Sequence, residues 1–268
     1  MTLTKPPVKH RPQLPKPADT SAALRAISIM ETVVAADAPL SLTAIMAAVE
    51  LPKPTVHRMI VLLEHAGLLM REPLGKNYSV GLRLARLGRE VMLNSSVRAT
   101  RHIILQRLVT EVGETCNLTM LYEGQVIYID RVDSAWPLKV DLKPGSLVPL
   151  HCSASGKLFM SRMPAAKRRA LLGQLPLARF TDNTITDPKK LKAELDRIRS
   201  ESVAVDKEEY LDGLVCVAVP VMLGDGRLCA SVAVQAPVAR LSIARALEYV
   251  PLLKRAAEIL ATTFEAPQ

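Results

Sequence analysis

Residues 51–69 read LPKPTVHRMIVLLEHAGLL, with two prolines, a lysine, a histidine and an arginine crowded ahead of an apolar helical stripe. Pro54 has the fixed φ and missing N–H that suit a first helical residue, and Lys53 before it is pushed toward extended dihedrals. The spacing therefore predicts a helix starting at Pro54, burying Val56, Met59, Ile60 and Leu63 and ending at Gly67. Upstream, Leu24, Ile27, Met30, Val33 and Val34 recur at helical steps behind Ser21, and Leu42, Ile45, Met46 and Val49 behind Ser41. Both serines are placed to cap. Downstream, LLMRE and YSVG flank the turn PLGKN and read as two short strands. Three helices followed by a small hairpin over residues 20–81 make a winged helix-turn-helix.

In such a unit the second helix of the motif inserts its N-terminal turn into the DNA major groove. Lys53, Pro54, Thr55, His57 and Arg58 stand at that end. Arg58 suits a guanine or phosphate contact through its two parallel donors, whereas Lys53 and Thr55 suit phosphate. Ser41 and Thr43 at the preceding helix start, and Arg71 and Lys76 on the hairpin, complete the expected DNA-facing set. Charge is distributed accordingly. Residues 1–110 hold 15 Lys/Arg against 7 Asp/Glu, a net +8, while residues 111–268 hold 20 against 19, a net +1. A basic end beside a neutral remainder fits a polyanion partner. A solvated basic surface and a winged helix that binds protein are the competing readings. Residues 1–19, with five prolines and four Lys/Arg, are expected to form a flexible basic arm.

The remainder reads as mixed α and β. Leu82, Leu84, Leu87 and Val91 recur at helical spacing and predict a linker helix over residues 82–98, with a second domain over 99–268. TCNLTMLYEGQVIYIDRV is a hairpin around Glu123-Gly124; helical segments follow, then two strands around Gly224-Asp225-Gly226 and a long closing helix over residues 241–264. Strands first, helices in the middle and strands again predict an α+β domain, an antiparallel sheet with packed helices. The four cysteines have no CxxC spacing, so neither a metal site nor a disulfide framework is expected, and no cofactor motif is present. With no secretion signal and no apolar run of membrane-spanning length, a soluble cytoplasmic protein is expected.

With these pieces in place the chain resembles the isocitrate-lyase-regulator (IclR) family of bacterial transcription factors, from about residue 21 to 261. The likeness is carried by LPKPTVHRMIVLLEHAGLL, YSVGLRLARLG, ETCNLTMLYEGQVIYIDRV, VPLHCSASGKLFM and VDKEEYLDGLVCVAVPV. The resemblance implies a GAF-like effector domain and a dimer or dimer of dimers whose affinity for double-stranded operator DNA changes when a small molecule binds. It implies an effector pocket bounded by Ser153, Ala154, Ser155 and Gly156, by Asp206, Leu214 and Cys216, and by Ala233 and Gln235, with Trp136 and Leu142 at its mouth. A Gly/Ser-rich turn opening a helix offers unpaired N–H groups, which suits an organic or aromatic acid. Ala233 and Gln235 replace the hydroxylic residues of family members that take small oxo acids. The segment SESVAVD lacks the family's glycine and aromatic residue before the aspartate. Two further classes compete: a ligand sensor acting by protein contacts without DNA, and a hydrolase using Cys216 or Cys116 with His151 and Asp206. Neither cysteine sits at a helix start or elbow that would activate it.

Overall fold

The structure, a computed structural model, describes residues 21–36, 38–72, 76–93, 95–137 and 140–265. The expected basic arm and the tip of the PLGKN turn lie outside the described residues. The chain divides into two compact units at Met92/Leu93.

The first unit contains α1 (Ala22–Val34), α2 (Leu42–Val49) and α3 (Lys53–His65), with β1 (Leu40–Ser41), β2 (Leu69–Arg71) and β3 (Asn77–Val80) in an antiparallel sheet ordered β1-β3-β2. Ser21 Oγ accepts from Leu24 N and Ser41 Oγ from Ala44 N, so both serines cap. Ile29, Val33, Ile45, Val49, Val56, Met59, Ile60 and Leu63 form one buried cluster, each contributing about 1.5–3 kcal/mol of transfer free energy. Gly67 adopts φ +68°, and its carbonyl lies so near Gly81 that a Cβ there would stand 2.3 Å from it. The structure sharpens two points. First, α3 begins at Lys53, because the Pro52 carbonyl already accepts from Thr55 N and Val56 N; Pro54 becomes the second helical residue, where a missing N–H also costs nothing. Second, α1 buries Ile29 and Val33 and leaves Leu24, Ile27 and Val34 exposed. Its apolar residues run beyond one stripe, and packing on α2 and α3 selects the face.

Helix α4 (Leu82–Leu93) buries no residue, and Leu82, Leu87 and Val91 are exposed. The second unit opens with α5 (Ser95–Val112), then β4 (Thr115–Tyr122), β5 (Gln125–Val132), β6 (Leu147–Val148), α6 (Ala154–Arg162), α7 (Ala165–Gln174), α8 (Pro188–Glu201), β7 (Ala204–Lys207), β8 (Leu214–Met222), β9 (Leu228–Pro237), α9 (Ile243–Glu248) and α10 (Val250–Thr262). The six strands form one antiparallel sheet ordered β6-β5-β4-β9-β8-β7, with α5 and α10 packed on one face and α6, backed by α8, on the other. The α+β expectation holds. Glu123 and Gly124 take φ of 48° and 77°, as a two-residue hairpin turn demands. Three details differ from the sequence reading. β6 is two residues long, too short for periodicity to show, and β7 emerges from the SESVAVD segment. The closing helix breaks at Tyr249, because Pro251 cannot donate to a continuing ladder and instead occupies the first turn of α10.

Candidate DNA-facing helix and effector cavity

Lys53, Pro54, His57 and Arg58 are exposed on the first turns of α3, Thr55 is half-buried behind them, and Val56 and Met59 anchor the helix underneath. Arg71 and Lys76 are exposed on the hairpin. None of Lys53, Arg58, Arg71 and Lys76 has an ion-pair partner among the described residues. Thr43 is exposed, whereas the Ser41 hydroxyl is engaged at the α2 cap. A bare cationic turn at the start of a helix is the arrangement that meets phosphates and base edges.

In the second unit a narrow cavity of about 20 Å³ lies between the sheet and the N-terminus of α6. Period-two alternation builds its floor. Thr119 opposes Ser231, Gln235 opposes Cys216, and Cys216 opposes Asp206, so these side chains leave one face of the sheet. Eight of the expected residues line the cavity: Leu142, Ser153, Ala154, Ser155, Asp206, Leu214, Cys216 and Gln235. Three do not. A Cβ on Gly156 would lie 2.3 Å from the Leu150 carbonyl, so this glycine serves the close seating of α6. Ala233 is fully buried beneath α6 with Ala154, Leu158 and Cys216. Trp136 is 54% exposed, with the Arg240 guanidinium 5.4 Å from its ring centre, and Arg240 donates to both carboxylate oxygens of Glu114. The cavity also recruits Thr119, Val126, Tyr128, Val148 and Tyr210, which the sequence reading missed. Thr119 and Tyr128 oppose each other across the hairpin, and the hairpin register would have shown them.

The polar groups are neutral donors and one carboxyl. The Tyr128 hydroxyl and Asn117 Nδ2 both donate to Gln235 Oε1 at 3.0 Å. Ser153 Oγ accepts from Gly156 N at 3.2 Å and donates to the Pro149 carbonyl, so it caps α6. The earlier N–H groups of that turn have no intrahelical acceptor. Among the described residues no cation lines the cavity. Lys157, one turn into α6, is fully buried and paired with Glu209, with Glu194 at 3.7 Å.

Asp206 Oδ1 accepts from Glu209 N at 2.7 Å, yet burial pushes its carboxyl up to about 7, and the Glu209 N–H only partly offsets this. The folded chain thus holds this proton where the unfolded chain has lost it, so stability drains away as pH rises from about 4 to 7 and is flat beyond. Asp206→Asn is expected to be more stable than the parent at pH 8, by about 1–3 kcal/mol, and to lose that advantage near pH 4. Urea melts at the two pH values check this; an equal difference at both would remove the carboxyl as its source. Burial also raises the thiols of Cys216 and Cys116, and raises Cys152 to about 12. His151 Nε2 lies 2.9 Å from the Ala178 carbonyl. No thiolate is poised for nucleophilic attack.

Residues 22–73 match the family model for the IclR helix-turn-helix domain, and residues 90–262 match that for the C-terminal part of bacterial transcriptional regulators of the IclR type. The chain belongs to the IclR family. It is 46% identical over 244 residues to the probable transcriptional regulator SauR of Cupriavidus necator, covering 91% of this chain and 97% of that protein. The crystal structure of the IclR of Thermotoga maritima superposes with a TM-score of 0.60 at 28% identity, over 90% of this chain and 97% of the other. An IclR homologue from Microbacterium hydrocarbonoxydans, crystallised with 4-hydroxybenzoate, shares the fold, with a TM-score of 0.57 at 21% identity over 91% and 98% of the two chains. IclR relatives are named as transcriptional regulators, not enzymes, so this chain is an IclR-type transcriptional regulator carrying a helix-turn-helix. Among the described residues no helix is long and apolar enough to cross a membrane.

Proposed function

We propose that the protein binds operator DNA in the cytoplasm through Lys53, Pro54, Thr55, His57 and Arg58 of α3, assisted by Ser41, Thr43, Arg71 and Lys76. A small organic or aromatic acid in the cavity then shifts that affinity. Residues 20–81 form the DNA-binding domain, 82–98 the linker and 99–268 the effector domain. The observation that carries the reading is the unpartnered cationic turn of α3, a surface that gains from polyanion contact and is idle without it. The exposed apolar side chains on α1 and α4 support assembly into a dimer or a dimer of dimers. Paired half-sites multiply specificity, and a ligand that changes the spacing of two recognition helices changes affinity.

For the effector, the first turn of α6, whose earliest N–H groups have no intrahelical acceptor, supplies donors at the cavity, which suits an acid. The like-folded homologue with 4-hydroxybenzoate holds a molecule of this class. Arg58→Ala is expected to weaken operator binding by about 1–3 kcal/mol. Fluorescence anisotropy with a duplex from upstream of the protein's own gene measures this, and unaltered affinity would take Arg58 out of the interface. A thermal-shift screen of organic and aromatic acids tests the cavity.

A further inference from the structure

Two buried polar atoms beside the cavity have no hydrogen-bond partner among the described residues: Nη1 of Arg131 and Oδ1 of Asn117. The two residues are directly opposed across β5 and β4, so their side chains leave the same face of the sheet, the face that carries Thr119 and Gln235. Other atoms of each group are engaged. Arg131 Nε donates to Asp133 Oδ1 at 2.7 Å and its Nη2 to the Val140 carbonyl at 2.7 Å, while Asn117 Nδ2 donates to Gln235 Oε1. The two N–H groups of Nη1 and one amide acceptor are therefore left over, in residues whose exposure is 5% for the Arg131 side chain and 1% for Asn117. Leaving such atoms unserved costs the full loss of their hydration.

The site lies directly behind the cavity wall. Gln235, which Asn117 holds, lines the cavity, and Leu142, two residues past the Val140 carbonyl that Arg131 grips, lines it as well. Burial raises both the Tyr128 hydroxyl and the Cys216 thiol, and the positive charge of Arg131 acts against it on each. The chemistry of the missing group follows from the donor and acceptor count. A carboxylate oxygen serves Nη1 but not Oδ1, and an ammonium serves Oδ1 but not Nη1; a hydroxyl both accepts and donates.

We propose that Arg131 and Asn117 form a subsite at the back of the cavity that takes a hydroxyl oxygen of the effector, so that the preferred effectors are hydroxylated acids. This rests on the reading of the cavity as the effector site. Both atoms are enclosed, so the ligand reaches them by displacing the Gln235 amide or Leu142.

Calorimetric titration of the full-length protein with acids matched but for one hydroxyl tests this: 3- and 4-hydroxybenzoate against benzoate, and lactate against propionate. At least one hydroxylated acid should bind about 10- to 100-fold more tightly than its partner. Asn117→Asp sets a carboxylate opposite the guanidinium and serves Nη1 internally. The ratio of affinities within each matched pair should then collapse toward unity. Arg131→Gln should abolish the preference by an independent route. Equal affinities within every pair would overturn the subsite and leave a trapped water as its occupant. A preference that survives both substitutions would place the hydroxyl elsewhere. If none of the acids binds, the organic-acid reading of the cavity falls together with the subsite, whereas a missing preference among acids that do bind removes the subsite alone.

Discussion

Raising salt from 50 to 200 mM is expected to weaken operator binding about a thousandfold or more. Each phosphate neutralised by a lysine or arginine releases condensed counterions, and roughly 6–10 such contacts produce a loss of that size. Lys53, Arg58, Arg71 and Lys76 are exposed and unpartnered in one chain, so two chains on paired half-sites supply the required number. The net +8 over residues 1–110 concentrates the attraction on the DNA-facing end. The slope of log affinity against log salt, from anisotropy titrations, checks the count. A slope near zero would show that these cations do not face phosphate. Arg71→Ala should lower the slope by about one unit with little change in sequence preference, the mark of a phosphate contact as opposed to a base contact.

Lys157→Ala is expected to be the most damaging single substitution in the second unit, costing about 3–5 kcal/mol. Lys157 is fully buried and pairs with Glu209, whose Oε2 already lacks a partner; burial pushes the Glu209 carboxyl up, and the Lys157 charge restrains it. Removing the ammonium strands a buried carboxylate, which then binds a proton or drags water inward. The pair ties α6 to the turn after β7, which follows Asp206 and carries Tyr210 to the cavity, so the effector response should suffer with stability. Thermal unfolding should show a fall on the order of 10 °C for the second unit. Replacing Glu209 with Gln in the same chain should recover part of it, because the stranded charge is gone. A loss below about 1 kcal/mol would mean that the pair contributes little beyond a hydrophobic contact.

How far the sequence revealed this architecture depended on the range of the interactions involved. The caps at Ser21 and Ser41, the stripe of Val56, Met59, Ile60 and Leu63, and the Glu123-Gly124 turn are local signals, each decided within a few residues, and each stands where the residues put it. Helical spacing alone did not specify which face α1 buries, because packing by α2 and α3 selects Ile29 over Leu24 and Ile27. β6 left no periodic trace in two residues, and Tyr249 interrupts the last helix because of a proline two positions on. For the cavity, the residues suggested by family likeness divide along a physical line. Ser153, Ala154 and Ser155 at the head of α6 and Leu214, Cys216 and Gln235 on the open part of β8 and β9 line it, while Gly156 seats α6 on Leu150 and Ala233, one alternation along β9 from Gln235, lies beneath α6. Trp136 was placed by likeness alone and instead stands outside, against Arg240. The Arg131–Asn117 pair was invisible in the sequence, since only the strand register reveals that two residues fourteen positions apart share a face and leave an atom each unserved.

The central claim is that an acid in the cavity alters the grip of α3 on DNA, and one titration tests it most directly. Full-length protein is added to a fluorescent duplex taken from upstream of its own gene, at about 100 mM salt, with and without saturating acid from the thermal-shift screen. The account predicts binding to that duplex and a change in its affinity of about 5- to 150-fold on adding the acid, the size typical of coupling between two sites. Affinity for the duplex that is identical with and without an acid shown to occupy the cavity would contradict it.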